Sequence, residues 1–487
     1  MLKGLDSLKT ERIKQDKGKV ILFFPPVQDE GSNNNQTNQD HWMPFPYLYL
    51  APFLEKAGYK VVILDARVTP DWRSVLKKEL RDAFAIGLTS FTGPDLNYVA
   101  EASQMAKDMN NKIHVIHGGH HATELPDDFL NENLADYVFR GPSEFSFPKV
   151  LDSLYFKKEF PSDVTGVLYK RNGKILGNRK LNPTTFDYEE PPAFHLIDIE
   201  KYRSENNIVS YFKTRGCPFK CTFCTTGVYD VGHKSREQYH REVKYLLIDK
   251  KFGGMYFRDP LFFLRTDDVM DVTELMESLG GGKTKKWRGQ ARGTFHRQYT
   301  PEQFKYMKKS GLASVMFGVE SGSQRMLDFM IKKVKREDYV KSAKVLSDLG
   351  IVMYNSFMFG MPNETVDDLK QSISLMHELK KISKEYVINY NSVFTPLPGT
   401  KMYRDAIDRG YKPPKTLKEW ANRPFSSRLE ERDDINWMGP DYEEYKKVYK
   451  EEFPDYKHPY QLELEGKRVN PLRTPLVDSE PMIAALE

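Results

Sequence analysis

The sequence predicts an α/β protein in which an N-terminal doubly wound domain is followed by a partial (β/α)6 barrel and a C-terminal cap. Three observations point there. Short apolar runs of strand length alternate with helix-length amphipathic segments, and the alternation occurs in two separate blocks. Between the blocks, residues 156–203 lose that rhythm. A chain of 487 residues is also two to three times the usual size of one domain.

Residues 1–18 are charged and read as an extension before the first domain, residues 19–155. Val20-Ile-Leu-Phe-Phe24, closed by Pro25-Pro26, has the continuous apolar character of a buried parallel strand. Leu48 to Ala57 reads as a helix closed by Gly58, and Val61 to Leu64 as a second strand. Trp72 to Arg81 (helix), Ala85 to Leu88 (strand) and Leu96 to Asn110 (helix) continue the series, with Ile113 to Ile116 and Tyr137 to Phe139 as further strands. Such a sheet carries helices on both faces and binds ligands outside the carboxyl ends of its strands. In residues 156–203, Gly166 to Tyr169 and Lys174 to Leu176 flank Arg171-Asn-Gly173 as a hairpin would, and Pro191-Pro192 marks a linker.

The alternation resumes over residues 204–410, with strands expected at Ile208 to Thr214, Met255 to Phe257, Trp287 to Ala291, Ala313 to Val319, Ile351 to Phe359 and Val387 to Phe394. Helices are expected at Glu237 to Ile248, Asp268 to Leu279, Pro301 to Ser310, Arg336 to Leu349 and Thr365 to Leu379. Six units are too few for a closed eight-unit barrel, so an open partial barrel is expected. Residues 411–487, rich in Pro, Trp and charge, read as a cap with a loose tail from about Gln461.

A net charge of +5, from 73 basic and 68 acidic residues, gives no electrostatic argument for a nucleic-acid partner. The sequence contains no apolar run long enough to span a bilayer, and its start has no basic segment leading into an apolar one. A cytoplasmic protein without a transmembrane segment is expected, with peripheral membrane contact left open.

All three cysteines fall in Cys217-Pro-Phe-Lys-Cys221-Thr-Phe-Cys224, so they share one task and none is left for a disulfide framework. Structural zinc takes four ligands, and only His233 stands near as a fourth. Three buried thiols packed in one loop are a second explanation. In the third, thiolates on three irons of a cubane leave one iron open, at a strand's carboxyl end where catalytic groups gather.

On this spacing, with Phe223 before the last cysteine and Arg215-Gly216 before the first, the chain resembles the radical SAM superfamily. The resemblance implies a [4Fe-4S] cluster on Cys217, Cys221 and Cys224. It implies that S-adenosylmethionine (SAM) chelates the open iron and is cleaved to a 5′-deoxyadenosyl radical, with electrons from a donor such as flavodoxin or ferredoxin. Asp259, in Phe257-Arg-Asp-Pro-Leu-Phe262, then corresponds to the segment that meets the SAM amino group, although a helix N-cap explains it too. Arg292 could reach the SAM carboxylate. Glu320 and Ser321, in Phe317-Gly-Val-Glu320-Ser-Gly322, match the segment that binds ribose and the amino acid. Gly360 and Pro362 match the turn that contacts adenine, with Glu364 near a helix start.

The first domain resembles the cobalamin-binding domain of one radical SAM class, the class B methyltransferases. Phe24-Pro-Pro26, Pro44-Phe-Pro46-Tyr-Leu-Tyr-Leu50, Gly118-Gly119-His120-His121 and Arg140-Gly-Pro-Ser-Glu144 carry the likeness. It implies cobalamin contacts from Pro25, Thr89, Ser90, Gly118, Gly119 and Glu144. Two departures stand out. Val27-Gln-Asp-Glu-Gly31 replaces the Asp-x-His-x-x-Gly that supplies a lower histidine ligand in some cobalamin enzymes, and Gly141-Pro-Ser-Glu144 replaces Gly-Glu-Gly-Glu. The polar insertion Ser32 to Asp40 is a further peculiarity. His120 and His121, adjacent in a strand, would point to opposite sides and share no metal.

The resemblance implies cobalamin-dependent C-methylation of an unactivated carbon in a small molecule or lipid: one SAM methylates the cobalamin and a second generates the radical. Cyclisation or rearrangement without methyl transfer is the alternative within radical chemistry. Methylthio transfer would need a second cluster, for which no cysteines remain, and a non-catalytic cobalamin or redox sensor would keep the fold alone. Tyr390, Phe394, Tyr403, Trp420, Phe425 and Trp437 would suit an apolar or planar substrate, or serve as packing.

Overall fold

Helices cover both faces of the first sheet, which is why its central strand, β1 (Lys19–Phe24), is buried at every position. In the computed structural model, which describes residues 16–26, 42–161, 163–203, 207–423, 429 and 432–454, β1 lies between β2 (Lys60–Asp65) and β3 (Ala83–Ser90). The expectations for residues 27–41, for Phe425 and for the tail lie outside the described residues. β4 (His114–Gly118) and β5 (Tyr137–Phe139) complete a parallel order β2-β1-β3-β4-β5, whose switch point falls between β1 and β3. Ile21, Phe23, Trp72 and Val99 fill one apolar layer, and Val20, Leu22, Leu54 and Phe147 fill the other.

The Asn-Gly hairpin forms as β6 (Val167–Arg171) and β7 (Lys174–Asn178), with Asn172 and Gly173 at φ +51° and +74°. Expected within the connecting stretch, it instead pairs antiparallel with β5 and extends the sheet to seven strands. The three-residue β5 would otherwise leave its polar edge unpaired.

The second sheet is parallel throughout, in the order β8 (Ile208–Tyr211), β11 (Gly254–Phe257), β12 (Lys286–Ala291), β13 (Leu312–Glu320), β14 (Val352–Phe359) and β15 (Val387–Val393). Val209, Phe257, Trp287, Phe317 and Phe359 face the surrounding helices in the main core. Alternate residues face inward, and the Tyr256 hydroxyl reaches Met316 Sδ (3.2 Å) across the intervening β12, so the sheet curls toward that side. The strand expected to run to Thr214 stops at Tyr211. β9 (Thr214–Arg215) turns away to pair with β10 (Gly232–His233), which folds the cysteine loop back over the sheet's end.

The carboxyl ends of the two sheets face each other. Arg215 Nη2 lies 2.8 Å from Glu144 Oε1, a β-carbon on Gly141 would stand 3.5 Å from the Tyr229 ring, and Gly399, beyond β15, lies against Glu124. The C-terminal segment ties both units together. Trp420 packs beside His121 of the first domain (5.7 Å), and Trp437 donates to the Gly360 carbonyl beyond β14 (2.8 Å). Among the described residues no helix is long and apolar enough to cross a membrane.

Candidate functional site

The cysteine loop begins at Gly216, whose φ of +84° and close approach to the Asp230 carbonyl leave no room for a side chain. Cys224 N–H donates to the Cys221 carbonyl (3.1 Å), closing a turn, while Thr222 is held by the Met330 carbonyl (3.0 Å) and the Met402 amide (2.8 Å). Cys217, Cys221 and Cys224 are half-buried free thiols. Burial pushes the Cys217 thiol above its ordinary value, and the neighbouring Cys224 and Cys221 push it the same way. Among the described residues no three His, Cys, Asp or Glu side chains could hold a single metal ion. His233, the candidate fourth zinc ligand, faces Asp268 (3.9 Å). A [4Fe-4S] cubane takes each of three thiolates on a different iron, and this loop presents three free thiols.

Arg292, the residue after β12, stacks on Phe219 (3.6 Å), and its Nη1 lies 3.8 Å from Cys221 Sγ. Among the described residues its Nη2 is buried without a partner, so a cation with an open donor edge stands beside the thiols, as a carboxylate ligand requires. Glu320, at φ +66° where β13 ends, pairs with Lys332 (2.9 Å), and Lys332 in turn lies over Phe223 (5.3 Å). Phe223, Lys332 and Glu320 thus form one patch alongside the loop.

The facing edge of the first sheet has a different chemistry. Among the described residues Ser90 Oγ and His120 Nε2 are buried without partners, and Gly119, at φ +87°, approaches Thr89 and Ser90 too closely for a β-carbon. Phe91 and Phe145 stand 54% and 52% exposed beyond β3 and β5. Pro25 is buried, while Thr89 and Gly118 remain partly exposed. Exposed aromatic faces beside orphaned polar atoms fit a flat, polar-rimmed cofactor such as cobalamin. His120 and His121 sit in the helical turn Gly119–Glu124 rather than in a strand. His120 stacks on Phe91 (6.2 Å), and burial pulls its imidazole down to about 4, so it is neutral. His121 is enclosed between Thr92 (3.1 Å) and Asp128 (3.3 Å).

The sequence profile of the Radical SAM superfamily matches residues 211–376, and that of the B12 binding domain matches residues 37–151. The chain thus carries a Radical SAM domain and a B12 binding domain. An uncharacterized methyltransferase of Pyrococcus horikoshii is 28% identical over 403 residues, covering 80% of this chain and 83% of the relative. The anaerobic magnesium-protoporphyrin IX monomethyl ester cyclase of Rubrivivax gelatinosus is 23% identical over 406 residues, covering 80% and 70%. The fold is similar to that of a radical S-adenosylmethionine methyltransferase from Kitasatospora setae, solved with cobalamin and a [4Fe-4S] cluster. That match has a TM-score of 0.65 at 15% identity and covers 82% of this chain and 80% of that one.

Several family-motif residues are turned inward in this radical SAM protein. Asp259 is fully buried and accepts from the backbone amides of Lys213 (3.3 Å) and Thr214, so it braces the root of the cysteine loop. Ser321 is likewise buried, bonded to Ser372 Oγ (3.1 Å) and to the Ser323 amide (3.1 Å). Gly360 bonds to Tyr445 and Trp437 of the C-terminal segment, and Pro362 is buried beside it. Glu364 accepts from the Met361 amide (2.9 Å) and stabilises the turn. Glu144, expected at the cobalamin, is instead 5% exposed and engaged by Arg215. The cap aromatics Trp420 and Trp437 are packing residues, each 2% exposed or less.

Sequence reasoning missed a second junction between the units. Lys234 is buried and donates to Glu242 (2.6 Å), to the Tyr211 hydroxyl (3.0 Å) and to the hydroxyl of Tyr49, which belongs to the first domain's helix Phe45–Lys56. Burial pulls its ammonium down to about 8 against the opposing pull of Glu242. A lysine between His233 and Ser235 in a polar stretch gives no periodic signal, so only the fold reveals it.

Proposed function

We propose that this radical SAM enzyme is a cobalamin-dependent C-methyltransferase. The observation that carries the reading is the apposition of the two carboxyl edges, held by Arg215 and Glu144, which would put a methyl donor on one edge opposite a radical source on the other. The methyltransferase relative that shares most of the chain's length supports it.

In this reading Cys217, Cys221 and Cys224 hold the [4Fe-4S] cluster, and Arg292 turns its open guanidinium edge to the SAM carboxylate. Glu320 accepts from the ribose hydroxyls. Phe91 and Phe145 pack against cobalamin while Ser90 donates to its rim. When bound, these groups supply the radical that removes a substrate hydrogen and the methyl group that replaces it, with electrons from a donor such as flavodoxin or ferredoxin. The chain binds, orients and excludes water, the last through Trp437 and Tyr445 closing over the end of β14.

Anaerobic reconstitution with iron, sulfide, cobalamin and methyl-labelled SAM tests this. Labelled cobalamin and 5′-deoxyadenosine are expected, followed by a product that carries the label. Replacing the three cysteines by alanine is expected to abolish the cluster absorbance and to bring deoxyadenosine to background. The cyclase relative keeps a second reading in view: deoxyadenosine formed with a substrate that gains no carbon would establish cyclisation or rearrangement and overturn methyl transfer.

A further inference from the structure

The inner face of the barrel sheet divides into two halves of unlike chemistry. On the β8–β12 side, Tyr256 carries two guanidiniums, Arg288 at 3.8 Å and Arg258 at 4.4 Å from its ring. Arg258 also donates to Ser210 Oγ (2.9 Å) and lies over Trp42 (5.2 Å). On the β13–β15 side, Val352, Tyr354 and Ile388 form a small apolar cluster of their own, with Met316 and Tyr390 packed on it, separate from the main core. The Tyr256 hydroxyl, 3.2 Å from Met316 Sδ, is the point where the two halves meet.

Arg288 is the unexplained residue of this face. Its guanidinium stacks on Tyr256, and its Nε is buried without a partner among the described residues. A guanidinium cannot shed its charge, and a buried donor left unpaired costs free energy, so such a group is retained where something else pairs with it. Stacking on Tyr256 occupies its face and leaves its edge, the part that pairs bidentately with a carboxylate or phosphoryl group. Trp42, Tyr202, Ser210, Tyr256 and Arg258 line a small pocket with Arg288, and none is acidic. The nearby carboxylate, Asp65, is already engaged by Arg67 (2.6 Å) and the Tyr202 hydroxyl (2.9 Å).

We propose that Arg288, seated on Tyr256, binds an anionic arm of the substrate, a carboxylate or a phosphoryl group, whose apolar body lies against Met316, Tyr354 and Ile388. The substrate class is therefore an amphipathic organic anion. This rests on the reading that the barrel interior of a radical SAM enzyme holds the substrate, and it is tested apart from turnover.

The experiment is calorimetric titration of the reconstituted holoenzyme with propionate and with methylphosphonate, each against a neutral counterpart, propionamide or dimethyl methylphosphonate. Saturable binding is expected for a charged probe only, and which of the two binds identifies the arm as carboxylate or phosphoryl. R288Q is expected to weaken that binding about 10- to 100-fold, the range for a hydrogen bond to a charged group, with partial recovery in R288K. Cluster absorbance and thermal midpoint report whether each variant is folded, and R288K, which keeps the charge, carries the comparison if R288Q is not. Equal binding by R288Q, equal binding of the neutral probes, or no binding of either charged probe to the wild type overturns the proposal. Anion binding that persists in an enzyme that transfers no methyl group overturns the functional reading alone.

Discussion

The two apposed carboxyl edges solve the problem of holding a cofactor in opposite ways. The first sheet ends in an open face, with Phe91 and Phe145 more than half exposed and Ser90 and His120 each carrying an orphaned polar atom. The second ends in a covered one, where Gly360, Pro362 and Glu364 lie beneath Trp437 and Tyr445. A large preformed cofactor can dock on an open face, whereas radical chemistry requires exclusion of water. The contrast teaches that a sequence motif at a strand's end contains two kinds of residue: those whose polar atoms are left for a ligand, and those already consumed in bracing the loop that carries them.

The sharpest way to break this distinction is at Glu144, which sequence position assigns to the open edge and geometry assigns to the brace. As a brace, E144Q strands a largely buried Arg215 and is expected to cost about 3 kcal/mol of stability, the lower end for breaking a buried pair, read by denaturant unfolding of the reconstituted protein. Cobalamin retention after gel filtration is then expected to hold. Loss of cobalamin at unchanged stability would return Glu144 to the open edge as a ligand.

Asp259 offers a smaller test of the same kind within the second sheet. Its carboxylate accepts two backbone amides, so D259N presents an amide where an acceptor is required, at a cost of about 2 kcal/mol. A brace predicts lower cluster loading and a lower thermal midpoint, with the KM for SAM unchanged in the loaded fraction. A rise in that KM at an unchanged midpoint would make Asp259 a SAM contact.

These residues also mark where the sequence stops being legible. The parallel strands could be read because burial on both faces makes them continuous apolar runs, as in Val20 to Phe24. The cysteine triad could be read because three thiols in one loop leave little else to explain them. Whether Glu144 faces outward could not, since its partner Arg215 lies 71 residues later in another domain. The Asn-Gly hairpin was evident, but its place in the first sheet depends on the unpaired edge of the short β5. Lys286-Trp-Arg-Gly-Gln-Ala291 alternates like a strand with one wet face, and only the curl of the sheet converts that face into the wall that presents Arg288.

Glu364 gives the mildest test, and it separates covering from binding by pH. Burial beneath the C-terminal segment pushes its carboxyl up to about 8, against an ordinary 4.5, with Tyr445 and Asp368 the nearest titratable groups. The folded state therefore holds a proton that the unfolded state releases, so this group's contribution to stability is fully present below pH 4.5 and is lost as pH rises toward 8. E364Q keeps the shape and cannot ionise. At pH 5 the variant and the wild type are expected to differ by less than about 1 kcal/mol, because a neutral hydrogen bond is exchanged for another. At pH 8.5 the variant is expected to be the more stable of the two, measured by urea unfolding across the range. If the wild type shows no decline relative to E364Q between pH 5 and 8, the carboxyl is ionised and reachable by solvent. The turn after β14 would then be an open edge like that of the first sheet, available for adenine contact.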